Sequence, residues 1–348
     1  VRALVIGGSG FIGIHVVDAL LKRGASVRVT KRKSSPTILL RRRPVELVDA
    51  SLEDRPALER AMDGVDAVVL AGAYYPRYSV DLEAAVERGV AGIRNALGAA
   101  QAQRVPRVVY TSSIAVLRPG VADVSDRAAD LADRAPLATE EDVQAEMPAD
   151  SVYRAVKWAM EREVDRAREG GLAVTSLLVG GCLGPWDFRV GTNGLFVGVL
   201  REQLPWFVDG WVNIVGADDV ANAHMQALDT NLARVCIGGH NLRLRSLLER
   251  SARRFGAKFD VPEVYPAEAR RLATAAEEQA RVTNARVPFP RELVDIVTNG
   301  SRVSNAVART ALGMHWTPID SVLDTTHEWL ARFGYVPRTH DSRKDLTP

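Results

Sequence analysis

The chain has 348 residues and a mass of 37.9 kDa, with 47% hydrophobic and 25% charged residues, 27 glycines and 17 prolines. This is the balance of a soluble globular protein and excludes a collagen-like, disulfide-scaffold or wholly disordered chain. A formal charge of +2, from 45 basic and 43 acidic residues, provides no net field toward nucleic acid or anionic lipid. Two cysteines, Cys182 and Cys236, are too few for a disulfide framework or a cysteine metal site and fit a reducing cytoplasm. No apolar run reaches the roughly 18 residues of a membrane span, and residue 1 leads directly into a strand without a signal segment. The expectation is a cytoplasmic protein that acts on a small molecule, with no metal and neither nucleic acid nor membrane as partner. Only six basic residues are lysine, and between Lys33 and Lys258 there is one, Lys157.

In chain order, Arg2–Ile6 is a short apolar run that ends in glycines, as a buried parallel strand does. Apolar residues at helical spacing over 11–22, stopped by Gly24, predict a helix. Strands follow at 27–29, 45–48 and 67–71, with a short helix at 57–62 between the last two. A long helix over Leu82–Ala102 and a strand at 108–111 come next. Residues 118–150, with Asp123, Asp126, Asp130, Asp133, Glu140, Glu141 and Asp142, read as a surface excursion. A helix at 152–168 and a strand over Val174–Val179 complete the alternation. Strand–helix alternation of this kind predicts an α/β fold, a Rossmann doubly wound parallel sheet. Beyond Gly180 the alternation lapses. A helix at 218–228 and a strand at 235–237 rejoin the sheet, and helices at 244–255, 267–280, 290–298 and 319–332 make a smaller, mostly helical C-terminal lobe. The division is residues 1–180, rejoined by 213–238, for the dinucleotide; 181–212 and 239–338 for substrate; and 339–348 as a polar tail.

The first turn reads Gly7-Gly8-Ser9-Gly10-Phe11-Ile12-Gly13. Gly7 permits the tight turn, Gly10 lets backbone approach a pyrophosphate, and Gly13 allows close packing of helix on strand. The helix opening at Phe11 and Ile12 aims its N–H groups at the anion. At the end of the second strand stand Thr30-Lys31-Arg32-Lys33, where an NAD site places an acid. Lys31 and Arg32 can pair with a 2′-phosphate, so NADP is favoured and NAD stays open. Asp49 is placed to meet the adenine or to cap a turn, and Ala71, where the fourth strand ends, joins the cofactor-binding set.

Tyr153 and Lys157 lie four residues apart, on one helix face. A free phenol has a pKa near 10, and a neighbouring cation is expected to lower it toward the working range of a proton relay. The third partner is a hydroxyl at the carboxyl end of the fifth strand, Ser113, with Ser112 and Thr111 as its neighbours.

Together these residues resemble the extended short-chain dehydrogenase/reductases: Gly-x-x-Gly-x-x-Gly at 7–13, Thr-Ser-Ser at 111–113 and Tyr-x-x-x-Lys at 153–157. Gly181-Cys182-Leu183-Gly184-Pro185, Val215–Ala221 and the stretch from Leu312-Gly313 to Trp329 extend the likeness over nearly the whole chain. The resemblance implies Ser113, Tyr153 and Lys157 as catalytic residues, Tyr153 and Lys157 also as cofactor contacts, and a homodimer through the helices near 82–102 and 152–168. Residues 27–32 look like the dihydroflavonol-reductase-like branch, in which the arginine binds the NADP phosphate. The chain departs from the pattern at Ile6, at Gly89-Val90-Ala91-Gly92 where many members carry Asn, and at Leu178-Val179-Gly180-Gly181 in place of Arg-Pro-Gly.

Residues 186–211 hold Trp186, Phe188, Phe196, Trp206, Phe207 and Trp211. Trp186, Phe188, Trp206 and Trp211 are the candidate lining for an apolar or aromatic ligand, with lobe core as the alternative. Three activities fit: a carbonyl reductase using NADPH; a nucleotide-sugar epimerase or dehydratase with retained coenzyme, for which Arg201, Arg243 and Arg245 could meet a diphosphate; and a non-catalytic NADP-binding sensor, which would have no need of a proton relay.

Overall fold

Successive residues of the first strand point to opposite sides of a sheet, and here both sides are buried. Leu4 and Ile6 pack with one set of helices while Ala3 and Val5 pack with another, all at most 4% exposed. Such strands read as unbroken apolar runs rather than alternating ones. The computed structural model describes residues 1–76, 81–118, 136–283, 287, 289–300 and 302–338. The expected polar tail at 339–348 and Asp123, Asp126, Asp130 and Asp133 of the expected excursion lie outside them.

The main sheet contains β1 (Arg2–Ile6), β2 (Ser26–Lys31), β3 (Val45–Asp49), β4 (Ala67–Leu70), β5 (Arg107–Ser113), β6 (Val174–Val179) and β9 (Arg234–Ile237). Their order is β3-β2-β1-β4-β5-β6-β9, every pairing parallel. This is a Rossmann-type doubly wound sheet whose order reverses between β1 and β4. One face carries α2 (Arg55–Met62), α3 (Leu82–Ala102) and α4 (Val152–Glu169), packed through Leu58, Met62, Ile93, Leu97, Val156 and Met160. The other carries α1 (Phe11–Lys22) and α6 (Ala217–Ala227). Asp54 and Asp81 cap α2 and α3 by accepting the N–H groups of Ala57 and Ala84, each at 3.0 Å. Where α3 passes α4, a Cβ on Gly89 would lie 2.9 Å from Val156 Cγ1, so the departure from Asn lets two helices close together.

The small lobe is mostly helical: α5 (Asn193–Leu200), α7 (Leu244–Phe255), α8 (Pro266–Thr283), α9 (Arg291–Thr298), α10 (Ala306–Ala311) and α11 (Ile319–Arg332). Its core gathers Phe196, Leu200, Phe207, Leu248, Phe289, Val294, Leu323 and Leu330. Against it lies a three-stranded sheet that the sequence does not announce. In it β8 (Trp211–Gly216) runs parallel to β7 (Gly181–Leu183) and antiparallel to β10 (His240–Arg243). The return to the main sheet is therefore made by α6 and β9, whereas 213–216 pair inside this second sheet. Strands of three to six residues in a Gly- and Pro-rich stretch are fixed by distant partners and leave little periodicity to read.

Candidate active site

The loop between β1 and α1 is held by contacts that leave no room for side chains. Gly7 has φ +87°, and a Cβ there would lie 2.4 Å from Gly72 Cα; one on Gly13 would lie 2.1 Å from the Gly7 carbonyl oxygen. Gly10 differs. Its Cβ would meet only that same oxygen, at 3.2 Å, so packing alone does not demand glycine there. Gly10 is also the N-cap of α1 and offers no side-chain cap, which leaves the first N–H groups of the helix, at Phe11 and Ile12, to an external acceptor. An open glycine over uncapped N–H donors fits the diphosphate of a dinucleotide. Ala71 lies alongside, its N–H bonded to the Ile6 carbonyl at 3.0 Å.

At the neighbouring strand ends, Lys31 and Asp49 face each other in register and form an ion pair. The two expected cofactor contacts thus satisfy one another. Arg32 is exposed, and no ion pair engages its guanidinium among the described residues; its backbone N–H donates to Ser35 Oγ at 2.9 Å and bends the turn. Of the basic pair, Arg32 is the group left to meet a phosphate.

Three hydroxyls end β5, and their partners separate them. Thr111 donates to Nε2 of His224 at 2.7 Å, because burial holds that imidazole neutral, near 4, with Nδ1–H on the Val220 carbonyl. Ser112 donates to the fully buried carboxylate of Glu161 at 2.7 Å, which Arg234 also engages at 2.8 Å. Ser113 turns to the site, and its Oγ accepts the Tyr153 hydroxyl at 3.2 Å. Tyr153 stands in the first turn of α4 behind the Ser151 cap, and Lys157 follows one turn later, 8% exposed, with Nζ 5.9 Å from the Tyr153 ring centre.

The electrostatics correct one expectation. Burial, reinforced by Glu292, pushes the Tyr153 phenol above its ordinary range, and the bond with Ser113 opposes this only in part. The amine does not lower it in the free protein; instead burial brings Lys157 down to about 8, against the pull of Glu292 and Glu161.

Glu292 and Tyr75 are the residues that sequence reasoning missed. Glu292, in the first turn of α9, enters from the small lobe and receives the Tyr75 hydroxyl on its carboxylate. The Tyr75 ring lies 5.4 Å from that of Tyr153, tilted by 54°. Burial raises the Glu292 carboxyl to about 7, although the Tyr75 bond and the Lys157 charge oppose it. An acid at a helix start is favoured by the dipole in any protein, so Glu292 carried no signal. Tyr75 lies just past the carboxyl end of β4, the edge where such sheets bind ligands, and could have been found.

The four candidate aromatics do not share one surface. Trp186 and Phe188 pack with Trp329 and Phe333 of α11 and its end, with ring centres 5.2–6.4 Å apart. Trp206 packs against Phe289, 4.9 Å away with the rings tilted by 40° and just before α9; Trp211 lies beside Arg243 and Arg302. A Cβ on Gly210 would lie 2.3 Å from the Val297 carbonyl oxygen, and one on Gly300 would lie 2.1 Å from that of Trp211. Trp206 and Trp211 therefore bracket the helix that bears Glu292. Phe196 and Phe207 are core. The three arginines suggested for a diphosphate have protein partners: Arg243 holds Asp209 at 2.8 Å, Arg245 pairs with Glu263, and Arg201 donates to the Gly334 carbonyl at 3.3 Å.

Residues 3–235 match the model of the NAD dependent epimerase/dehydratase family. A curated relative, "Putative dihydroflavonol 4-reductase" of Synechocystis, is 29% identical over 347 residues, covering 95% of each chain. The crystal structure of gox2253 superposes with a TM-score of 0.80 at 25% identity, over 96% of this chain and 99% of that one. A nucleoside-diphosphate-sugar epimerase from Pseudomonas aeruginosa does so at 0.76 and 22%, over 97% and 99%, a likeness of fold.

Proposed function

We propose that this chain, which belongs to the NAD dependent epimerase/dehydratase family, is an NADPH-dependent oxidoreductase that reduces the carbonyl of a small apolar or aromatic substrate, with Tyr153 as proton donor. It is an NAD(P)-dependent enzyme of the short-chain dehydrogenase/reductase type; the coenzyme preference, the direction and the residue roles are the proposal. The observation that carries it is the Tyr153–Ser113 bond of 3.2 Å beside the buried Lys157.

When bound, the reduced nicotinamide supplies a hydride to the carbonyl carbon. Tyr153, whose phenol holds its proton firmly in the free protein, gives that proton to the carbonyl oxygen, and the product is the alcohol. Ser113 donates to the same oxygen and fixes the carbonyl in place. Lys157 stabilises the phenolate left behind and holds the coenzyme ribose. Gly7, Gly10, Phe11, Ile12, Gly13 and Ala71 surround the dinucleotide, with Arg32 on the 2′-phosphate and the Lys31–Asp49 pair shaping the strand ends beside it. Residues 1–180 with 217–238 take the coenzyme, and 181–216 with 239–338 take the substrate, with Trp206 and Trp211 supporting the substrate side through α9.

The engaged states of Arg243 and Arg245 weigh against a nucleotide-sugar diphosphate, and the curated relative is named as a reductase. Pairing of two copies through α3 and α4, in a reducing cytoplasm where the buried Cys182 and Cys236 stay thiols, completes the proposal. No described helix is long and apolar enough to cross a membrane. The test is a panel of aromatic ketones and nucleotide-sugars with each coenzyme, read at the reduced-nicotinamide absorbance. Consumption of NADPH with a ketone is expected; nucleotide-sugar conversion without net coenzyme consumption would establish the epimerase instead.

A further inference from the structure

The small lobe places three acids on or near α9, and only two are neutralised by arginine. Glu277 accepts from the backbone and side chain of Arg291 at 2.7 and 2.8 Å, and Asp295 pairs with Arg270 at 3.3 Å. Glu292 has a phenol, Tyr75, and no basic side chain pairs with it among the described residues. Glu292 is half-buried and meets the Lys157 charge through space rather than in an ion pair, and carboxyl groups held this way beside a reactive phenol are ones that act on a ligand. Its position is fixed, since the close approaches at Gly210 and Gly300 lock α9 against β8. Its direction is fixed as well, because the Tyr75 ring that holds it also lies against Tyr153. A carboxylate has about four acceptor sites, and one phenol proton leaves most of them open. Tyr75 is 47% exposed, so the pair lies at an accessible mouth rather than in sealed core.

We propose that Glu292, held by Tyr75, is the specificity-determining acceptor of this site: it receives a hydroxyl carried one or two carbons from the reacting carbonyl and rejects substrates with an anionic group there. The substrate class is then a neutral hydroxy-ketone or hydroxy-aldehyde, an assignment that rests on the reductase reading above. The carboxyl also repels phosphate and carboxylate, which the proton donor beside it would not do by itself. Above about pH 7, where the Glu292 carboxyl is ionised, a hydrogen bond to this charged acceptor sets the preference at about tenfold or more over the deoxy compound.

The test uses the full chain at pH 8 with NADPH bound and three matched probes: 2-hydroxyacetophenone, acetophenone and phenylglyoxylate. Binding is read by quenching of coenzyme fluorescence, turnover by NADPH absorbance. The wild type is expected to bind the hydroxyketone at least about tenfold tighter than acetophenone, and phenylglyoxylate weakest. In Glu292→Leu the hydroxy-to-deoxy ratio falls to about one. In the isosteric Glu292→Gln, whose amide oxygen still accepts, part of that ratio remains while phenylglyoxylate gains about tenfold. Ratios taken within one variant cancel any general loss of folding. Unchanged ratios in both variants, or a wild type indifferent to the hydroxyl, overturn the assignment. The expected binding pattern without any NADPH consumption would remove the reductase reading and leave the acceptor in place.

Discussion

At Gly7 and Gly13 an added Cβ would lie 2.1–2.4 Å from backbone atoms of Gly72 or Gly7, and no charged group takes part. At the substrate side the same sheet edge gathers a phenol pushed up, an amine brought down to about 8 and a carboxyl raised to about 7, delivered by α4 and α9. The dinucleotide side is built by close backbone approach, of Gly13 to Gly7 within the loop and of Gly7 to Gly72 beyond the end of β4. The substrate side is built by holding the ionisable groups of Tyr153, Lys157 and Glu292 away from water, with Ser113 and Tyr75 as their hydrogen-bond partners. The first kind of construction tolerates no side chain at Gly7 or Gly13; the second leaves groups poised for proton chemistry and lowers stability to do so.

Substitutions that separate the two constructions sharpen this contrast. Tyr153→Phe should have the largest effect on activity, a fall in carbonyl reduction of about a thousandfold, with NADPH affinity kept within about threefold by fluorescence titration. Retained turnover would move the proton donor elsewhere. Gly13→Ala forces a Cβ into the Gly7 carbonyl and should lower thermal stability by several degrees and abolish saturable coenzyme binding. Gly10→Ala meets only that oxygen at 3.2 Å, so its melting temperature should hold while coenzyme affinity drops about tenfold. Equal effects of the two alanines would break the distinction between packing glycine and ligand glycine.

Smaller effects are expected at the edges of each half. Arg32→Ala should raise the KM for NADPH about tenfold and leave that for NADH unchanged, whereas Lys31→Ala, already paired with Asp49, should change the ratio less. The smallest is thermal. Because the fold holds Glu292 protonated up to about 7 while a free carboxyl ionises near 4.5, this group contributes less stability as pH rises between those values. Glu292→Gln should therefore melt a few degrees above the wild type at pH 8 and equal it near pH 4. A wild type more stable than the variant at pH 8 would contradict the assigned burial of the charge.

The sequence carried the sheet, its helices, the glycine loop and the Tyr153–Lys157–Ser113 convergence, because each is a local pattern: apolar runs, period 3.6, glycines at fixed offsets, a four-residue helical step. Lys31 and Arg32 read alike in sequence, and cross-strand register alone put Asp49 on the first and left the second exposed. Glu292 was illegible, since an acid at a helix start is ordinary and its approach to Tyr153 depends on how Gly210 and Gly300 seat α9. The aromatic residues of 186–211 suggested one lining surface; Trp186 and Phe188 belong instead with α11, and Trp206 and Trp211 with α9.

The most direct measurement of the reductase claim mixes purified wild type with NADPH and 2-hydroxyacetophenone and follows coenzyme and diol together. One NADPH consumed per diol formed, with NADH far slower, is the result expected. No coenzyme consumed with any carbonyl, while a nucleotide-sugar is interconverted on the same preparation, would contradict it.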